Sequence, residues 1–105
     1  MLRRLGALLP FARYRIEGAS MEPSIAQGDR VVASRANYWV FVPKRGDVVV
    51  VRDPRAPDRY LIKRIERVDD GRYTLLGDNA DESTDSRFFG DVPRDLIVGK
   101  VLFRY

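Results

Sequence analysis

The apolar positions of this chain recur at short intervals, mostly with a period of two, and seldom run long enough for a helix. Tyr14-Arg15-Ile16-Glu17 alternates and ends at Gly18. Residues 29–34 place Val31 and Val32 behind the turn pair Gln27-Gly28. Residues 47–52 hold four consecutive valines, launched from Arg45-Gly46. An unbroken β-branched run predicts a strand buried on both faces. Residues 53–58 contain Pro54 and Pro57 and read as a loop, because proline breaks either kind of ladder. Residues 60–68 predict a strand that turns at Asp69-Asp70-Gly71 and returns over residues 72–76. Residues 77–90, rich in Asp, Ser and Gly, read as a long ordered loop, residues 93–96 as one helical turn, and residues 97–105 as a last strand. Many short strands separated by turns predict an all-β barrel or sandwich with at most a short N-terminal helix.

Two stretches fit this pattern less well. In residues 1–12, Leu2, Leu5 and Leu9 fall on one helical face, but Gly6 and Pro10 interrupt it. The segment reads as a short helix resting on the domain or on a membrane surface, or as a frayed terminus. It falls well short of the roughly 20 apolar residues that span a bilayer, and it lacks the core and cleavage site of a signal peptide. The expected organisation is therefore an N-terminal segment, 1–12, and one domain, 13–105. Residues 38–42, Tyr-Trp-Val-Phe-Val, read either as core or as an exposed patch that touches lipid or substrate.

With 105 residues the chain is sized for one domain and one modest core. It contains no cysteine, which removes disulfides and thiol nucleophiles. It also contains no histidine, and this changes the picture more. Ser-His-Asp triads, Cys-His dyads and His-ligated metals are excluded, so a hydrolase built on this chain needs Asp, Glu, Tyr or Lys as its base. The net charge of +4 and pI near 9.8 come from arginines scattered between Arg3 and Arg104 without a basic run. That distribution reads as a solvated basic surface, and no nucleic-acid partner is expected.

Lys63 stands out within the strand of residues 60–68. Alternation puts Leu61, Lys63 and Ile65 on one face and Ile62, Arg64 and Glu66 on the other, more solvated one. The chain uses 16 arginines and only 3 lysines, and lysine alone of the two gives up its proton when desolvated. Burial that lowers its pKa from about 10.4 to about 7–8 makes a lysine a usable base. The competing reading is a lysine that snorkels to water. Ser20, in Gly18-Ala19-Ser20-Met21-Glu22-Pro23, is by context a turn residue, yet Gly18 permits close backbone approach by a substrate. A serine activated by a lysine is a known nucleophile–base pair.

The motifs follow in a telling order: Ser20-Met21-Glu22-Pro23, Gly28-Asp29, Arg45-Gly46-Asp47-Val48-Val49, Lys63-Arg64, Gly77-Asp78-Asn79, then Ser83-Thr84-Asp85-Ser86-Arg87 with Gly90. This series resembles the type I signal peptidase family of Ser/Lys proteases, from about Gly18 to the C-terminus. The resemblance implies Ser20 as nucleophile, Lys63 as general base, Ser83 as the hydroxyl that orients the lysine, and Asp85 and Arg87 as an ion pair holding the loop, with Ser86 in support. It places Gly18, Ala19 and Met21 at the oxyanion and substrate approach, with the Ser20 N–H as first oxyanion donor. It implies no metal or cofactor, and a precursor or leader peptide bound in extended form. Many members of the family carry a serine at the position of Gly18, a large insertion where this chain has Asp70-Gly71, and a transmembrane segment. Those differences resemble a compact branch, the maturation proteases of nickel superoxide dismutase. The implied activity is leader removal from a soluble precursor by a cytoplasmic enzyme with weak peripheral membrane contact; the alternative is signal-peptide cleavage at a membrane surface.

Overall fold

The computed structural model describes residues 1–38 and 42–105. Among them run eight strands: β1 (Leu2–Leu8), β2 (Phe11–Ile16), β3 (Arg30–Arg35), β4 (Val48–Asp53), β5 (Ala56–Asp69), β6 (Arg72–Leu76), β7 (Val92–Pro93) and β8 (Ile97–Arg104). A single-turn helix, α1 (Ser86–Phe89), lies in the long loop after β6, and residues 94–96 form a 3₁₀ turn. All pairings are antiparallel, in the order β1-β2-β3-β8-β4-β5, and the series closes where Leu2 of β1 pairs with Tyr60 of β5. Six strands thus form a barrel. β6 and β7 continue the sheet as an arm beyond the far half of β5.

The valine run explains why this arrangement has two cores. Val50 points into the barrel with Leu2, Tyr14, Ile16, Val31 and Ile62. Val49 and Val51 point outward, where they pack with Leu61, Ile65, Tyr73, Leu75 and Ile97 beneath the β6–β7 arm. Val49, Val50 and Val51 are all fully buried, as an unbroken β-branched strand predicts. Burying each such side chain contributes about 1.5–3 kcal/mol before entropy is counted. The β5–β6 hairpin also forms as expected: Asp69 pairs with Arg72 around Asp70 (φ 50°) and Gly71 (φ 73°), two successive left-handed residues.

Two expectations need correction. Residues 53–58 form a tight turn at Pro54-Arg55 instead of a loop, and β5 already begins at Ala56. Pro57 is tolerated because the ladder jumps there, from Arg52–Tyr60 to Asp53–Ala56, and leaves the residues between outside the pairing. The N-terminal segment is neither helix nor frayed end. Residues 2–8 are a barrel strand, paired with β2 along its length and with β5 at Leu2. Only Leu2 of the supposed helical face is buried, while Leu8 and Leu9 stand exposed at the β1–β2 tip. Three leucines give a weak helical signal, and pairing on both edges overrides it. The apolar stretch 38–42 lies outside the described residues, except for the backbone of Tyr38 and for Val42, which is exposed.

Candidate active site

Strand β2 delivers the chain to Gly18, whose φ of +97° turns it out of the sheet, a conformation strained for any other residue. The next residues fold into consecutive turns: the Glu22 N–H donates to the Ala19 carbonyl (3.2 Å) and the Ile25 N–H to the Met21 carbonyl (3.0 Å). Met21, expected at the substrate approach, instead turns its side chain wholly into the barrel core beside Ile25. It pins the turn and leaves the largely buried Ser20 on the wall of a small cavity of about 150 Å³, with Gly18 and Ala19.

Lys63 reaches the same cavity from β5. It sits opposite Val49, between Leu61 and Ile65 on the outward face, and is 2 % exposed. The lysine is therefore buried and does not snorkel. Burial pulls its pKa down from 10.5 to about 8; Asp85 opposes that shift, and Arg55 and Arg87 add to it.

The loop after β6 binds both elements. The Gly77 N–H donates to Asp85 (2.8 Å). Asp78 accepts two bonds from Arg64 (2.9 and 2.8 Å) and one from the Ser24 hydroxyl (2.6 Å), joining β5 to the Ser20 turn. Arg64, whose face the alternation marks as solvated, is thus half-buried and engaged. The Asn79 N–H donates to the Ser20 carbonyl (2.8 Å) and its side-chain amide to the Ala19 carbonyl (3.1 Å). Gly77 itself has no room for a side chain. A Cβ there would stand 2.2 Å from Ser83 Oγ and 2.7 Å from the Ser20 carbonyl oxygen. Ser83 is thereby placed against the Ser20 turn.

Asp85 is buried and accepts five hydrogen bonds, from the Gly77 N–H, the Ser83 hydroxyl, the Arg87 N–H, and Nε and Nη2 of Arg87. Burial pushes its carboxyl up, but these donors outweigh burial and hold it well below the usual carboxylate range. Asp85 also caps α1. Ser86 ties that helix to β6 by accepting from the Leu75 N–H (2.8 Å).

A second pair of the same design escaped the sequence reading. Asp53, fully buried, accepts from the Arg55 N–H (2.9 Å), Nε (3.0 Å) and Nη2 (2.9 Å). The Arg55 guanidinium also lies over the rings of Phe88 and Phe89, and Arg55 lines the Ser20–Lys63 cavity. The shared Asp-x-Arg spacing of Asp53-Pro54-Arg55 and Asp85-Ser86-Arg87 was the available signal. Among the described residues, no cluster of three or more Asp or Glu side chains is placed to hold a metal ion.

A barrel carrying a serine and a buried lysine in one cavity, braced by a loop that reaches both, defines a class of hydrolase scaffold that works without histidine. The profile described as "Signal peptidase, peptidase S26" matches residues 4–66 and 66–105, and this chain belongs to that family. Its two matched pieces meet at Glu66 in β5, just before the Asp70-Gly71 hairpin. The chain is 32% identical to the mitochondrial inner membrane protease subunit 1 of Homo sapiens, over 83% of this chain and 64% of that protein. It is 36% identical to the mitochondrial ATP-independent inner membrane protease subunit 1a of Arabidopsis thaliana, over 85% and 67%. It is 26% identical to the probable signal peptidase I-1 of Synechocystis sp., over 89% and 69%. The chain thus spans about two thirds of the length of these relatives. No helix among the described residues is long and apolar enough to cross a membrane.

Proposed function

We propose that this chain is a serine endopeptidase with a Ser20–Lys63 dyad that removes an N-terminal leader from a precursor protein. One observation carries the reading: a lysine buried on an apolar strand face shares a cavity with a serine, and its pKa falls to about 8. At that pKa about a tenth of Lys63 is a neutral amine at pH 7, rising to about half at pH 8, ready to take the Ser20 proton. Ser20 Oγ attacks the scissile carbonyl as its proton passes to Lys63 Nζ. The C–N bond then breaks and the proton leaves with the new amino terminus. Lys63 next deprotonates a water that hydrolyses the acyl-enzyme, restoring the Ser20 hydroxyl. The Ser20 N–H is the first oxyanion donor.

Ser83 and Asp85 support the base. An ionised carboxylate only accepts, so the Ser83 proton is committed to Asp85 (2.8 Å). That leaves the Ser83 oxygen free to accept, and in the proposed mechanism it would take a hydrogen bond from Lys63 and turn the amine lone pair toward Ser20. Arg87 and Ser86 hold the loop that carries this pair.

The substrate proposed first is a soluble precursor with a short leader, in the manner of nickel superoxide dismutase maturation, cleaved in the cytoplasm by an enzyme that touches membranes weakly through the exposed Leu8 and Leu9 tip. The relatives named for an inner membrane favour a second reading, cleavage of a membrane-inserted signal peptide. The test is to incubate the purified chain with a precursor of each kind, soluble and reconstituted in liposomes, and locate the cut by mass spectrometry. Cleavage should disappear with Ser20→Ala. Undiminished cleavage by that variant would remove Ser20 from the mechanism, and the preferred precursor decides between the two substrates.

A further inference from the structure

The alternation that fills the barrel also places arginines at one of its mouths. Leu2 of β1 faces inward, and the next inward position is Arg4. On β3 the inward row is Val31, Ala33, Arg35, and on β4 it is Val48, Val50, Arg52. Three interior rows therefore end in a guanidinium at the same opening. They line a cavity of about 550 Å³ with Tyr14 and Tyr60, and the turn of residues 94–96 adds Arg94. Asp95 is the one acid among the described lining residues. The cavity is distinct from the Ser20–Lys63 cavity and shares none of the described lining residues with it: on β5, Tyr60 lines this one, whereas its neighbours Arg59 and Leu61 line the other.

Arg52 is held in place: it donates Nη1 to the Pro57 carbonyl (3.0 Å) and lies over the Tyr60 ring at 5.2 Å. Tyr60 in turn meets Tyr14 edge-on at 5.7 Å. Converging like charges repel, and a concave site with aromatic walls and one acid concentrates that positive field. Arginine forks match phosphate oxygens two at a time. The volume lies within the roughly 300–1,000 Å³ of ligand sites and exceeds the needs of a bare phosphate. The exposed Leu8 and Leu9 tip is joined to this rim, since the Arg35 N–H donates to the Pro10 carbonyl (2.8 Å).

We propose that this arginine-lined mouth binds a phosphate group, either on a small soluble molecule or on the headgroup of an anionic lipid. Inorganic phosphate titrated into the intact chain by calorimetry probes the soluble source. Flotation with phosphatidylglycerol vesicles, against phosphatidylcholine vesicles, probes the lipid one. Removing one guanidinium should weaken binding about tenfold, the size of one hydrogen bond to a charged group. Arg35→Gln and Arg52→Gln test the interior positions, with folding checked by circular dichroism. Arg4→Gln, at an exposed position, keeps the test valid if those two fail to fold. Arg45→Gln, exposed and away from the cavity, removes the same charge and should leave binding unchanged. Saturable phosphate binding that the cavity variants weaken supports the soluble source, and vesicle binding with the same pattern supports the headgroup. The proposal is overturned if neither probe binds, or if the cavity variants behave like Arg45→Gln.

Discussion

The Asn79 N–H donates to the Ser20 carbonyl at 2.8 Å, so the loop after β6 holds the serine turn by its backbone. The Asn79 side chain adds a bond to Ala19, and the preceding Asp78 bridges Ser24 to Arg64, the neighbour of Lys63. Gly-Asp-Asn is thus the joint between the two proposed catalytic elements, and each of its three residues does a separate job.

Gly77→Ala should cripple the enzyme. The new Cβ would meet Ser83 Oγ at 2.2 Å, Ser83 Cβ at 2.6 Å and the Ser20 carbonyl at 2.7 Å, so the serine turn or the Ser83 loop must move. Overpacking of this kind costs about 1–3 kcal/mol in stability. Turnover should fall further than stability accounts for, because both displaced groups serve the proposed reaction. Normal turnover in a folded Gly77→Ala protein would show that the close approach is unimportant.

Much of this frame was legible in the sequence, and the parts that were not have a common cause. The valine run and Asp70-Gly71 announced themselves because strand burial and hairpin turns are local properties. Lys63 was visible because a two-residue period exposes one charge on an apolar face. Residues 2–8 were misread because their strand character comes from β2 and β5, to which only the fold gives access. The Asp53–Arg55 pair was hidden for the same reason: two prolines suggested a loop, while burial of Asp53 depends on the barrel closing around it.

Lys63→Met should abolish activity yet stabilise the fold at neutral pH. Loss of a general base costs about a hundredfold or more. The stability sign follows from linkage. The folded-state pKa, about 8, lies below the unfolded value of 10.5, so between these the unfolded chain binds more protons and stability rises with pH. Below about pH 8 the buried ammonium carries its full penalty, on the order of 3 kcal/mol. Methionine removes that penalty with little change of volume. Urea unfolding at pH 7 should show the variant more stable, with the advantage shrinking as pH rises toward 10.5. A variant less stable than the parent at pH 7 would contradict a desolvated lysine.

Ser83→Ala and Asp85→Ala should separate orientation from architecture. Ser83→Ala removes the hydroxyl but leaves Asp85 its four other hydrogen bonds, so kcat should drop with little change in stability. Asp85→Ala orphans the Gly77 N–H and the α1 cap as well, and should cost about 3 kcal/mol together with activity. The carboxyl is held low, so its stabilisation is present above the unfolded value of 3.8 and is lost as pH falls toward the folded one. Asp85→Ala should therefore flatten the acid limb of stability against pH. Equal kcat in parent and both variants would reduce the loop to scaffold.

Arg55→Met should move the pH dependence of cleavage upward. In the parent, kcat/KM should rise through about pH 8 as Lys63 loses its proton, because burial depresses its pKa. Arg55 contributes to that depression through its positive charge beside the same cavity, while its partner Asp53 works in the opposite direction. Removing the guanidinium deletes a repulsive neighbour and leaves the buried Asp53 carboxylate without its main counter-charge, and both changes favour the lysine ammonium. The midpoint must then shift to higher pH. Arg55→Lys keeps a positive charge in place, although not the two-pronged grip on Asp53, and should shift it less. Stability will fall in Arg55→Met, because the buried Asp53 carboxylate loses both side-chain donors of its partner. Arg55 itself is 41% exposed, so the loss should stay at about 1–2 kcal/mol, but a purely structural role would lower activity at all pH values without moving the midpoint. A pH profile of kcat/KM across parent, Lys and Met variants makes the distinction, and an unmoved midpoint in Arg55→Met would confine Arg55 to holding the β4–β5 turn.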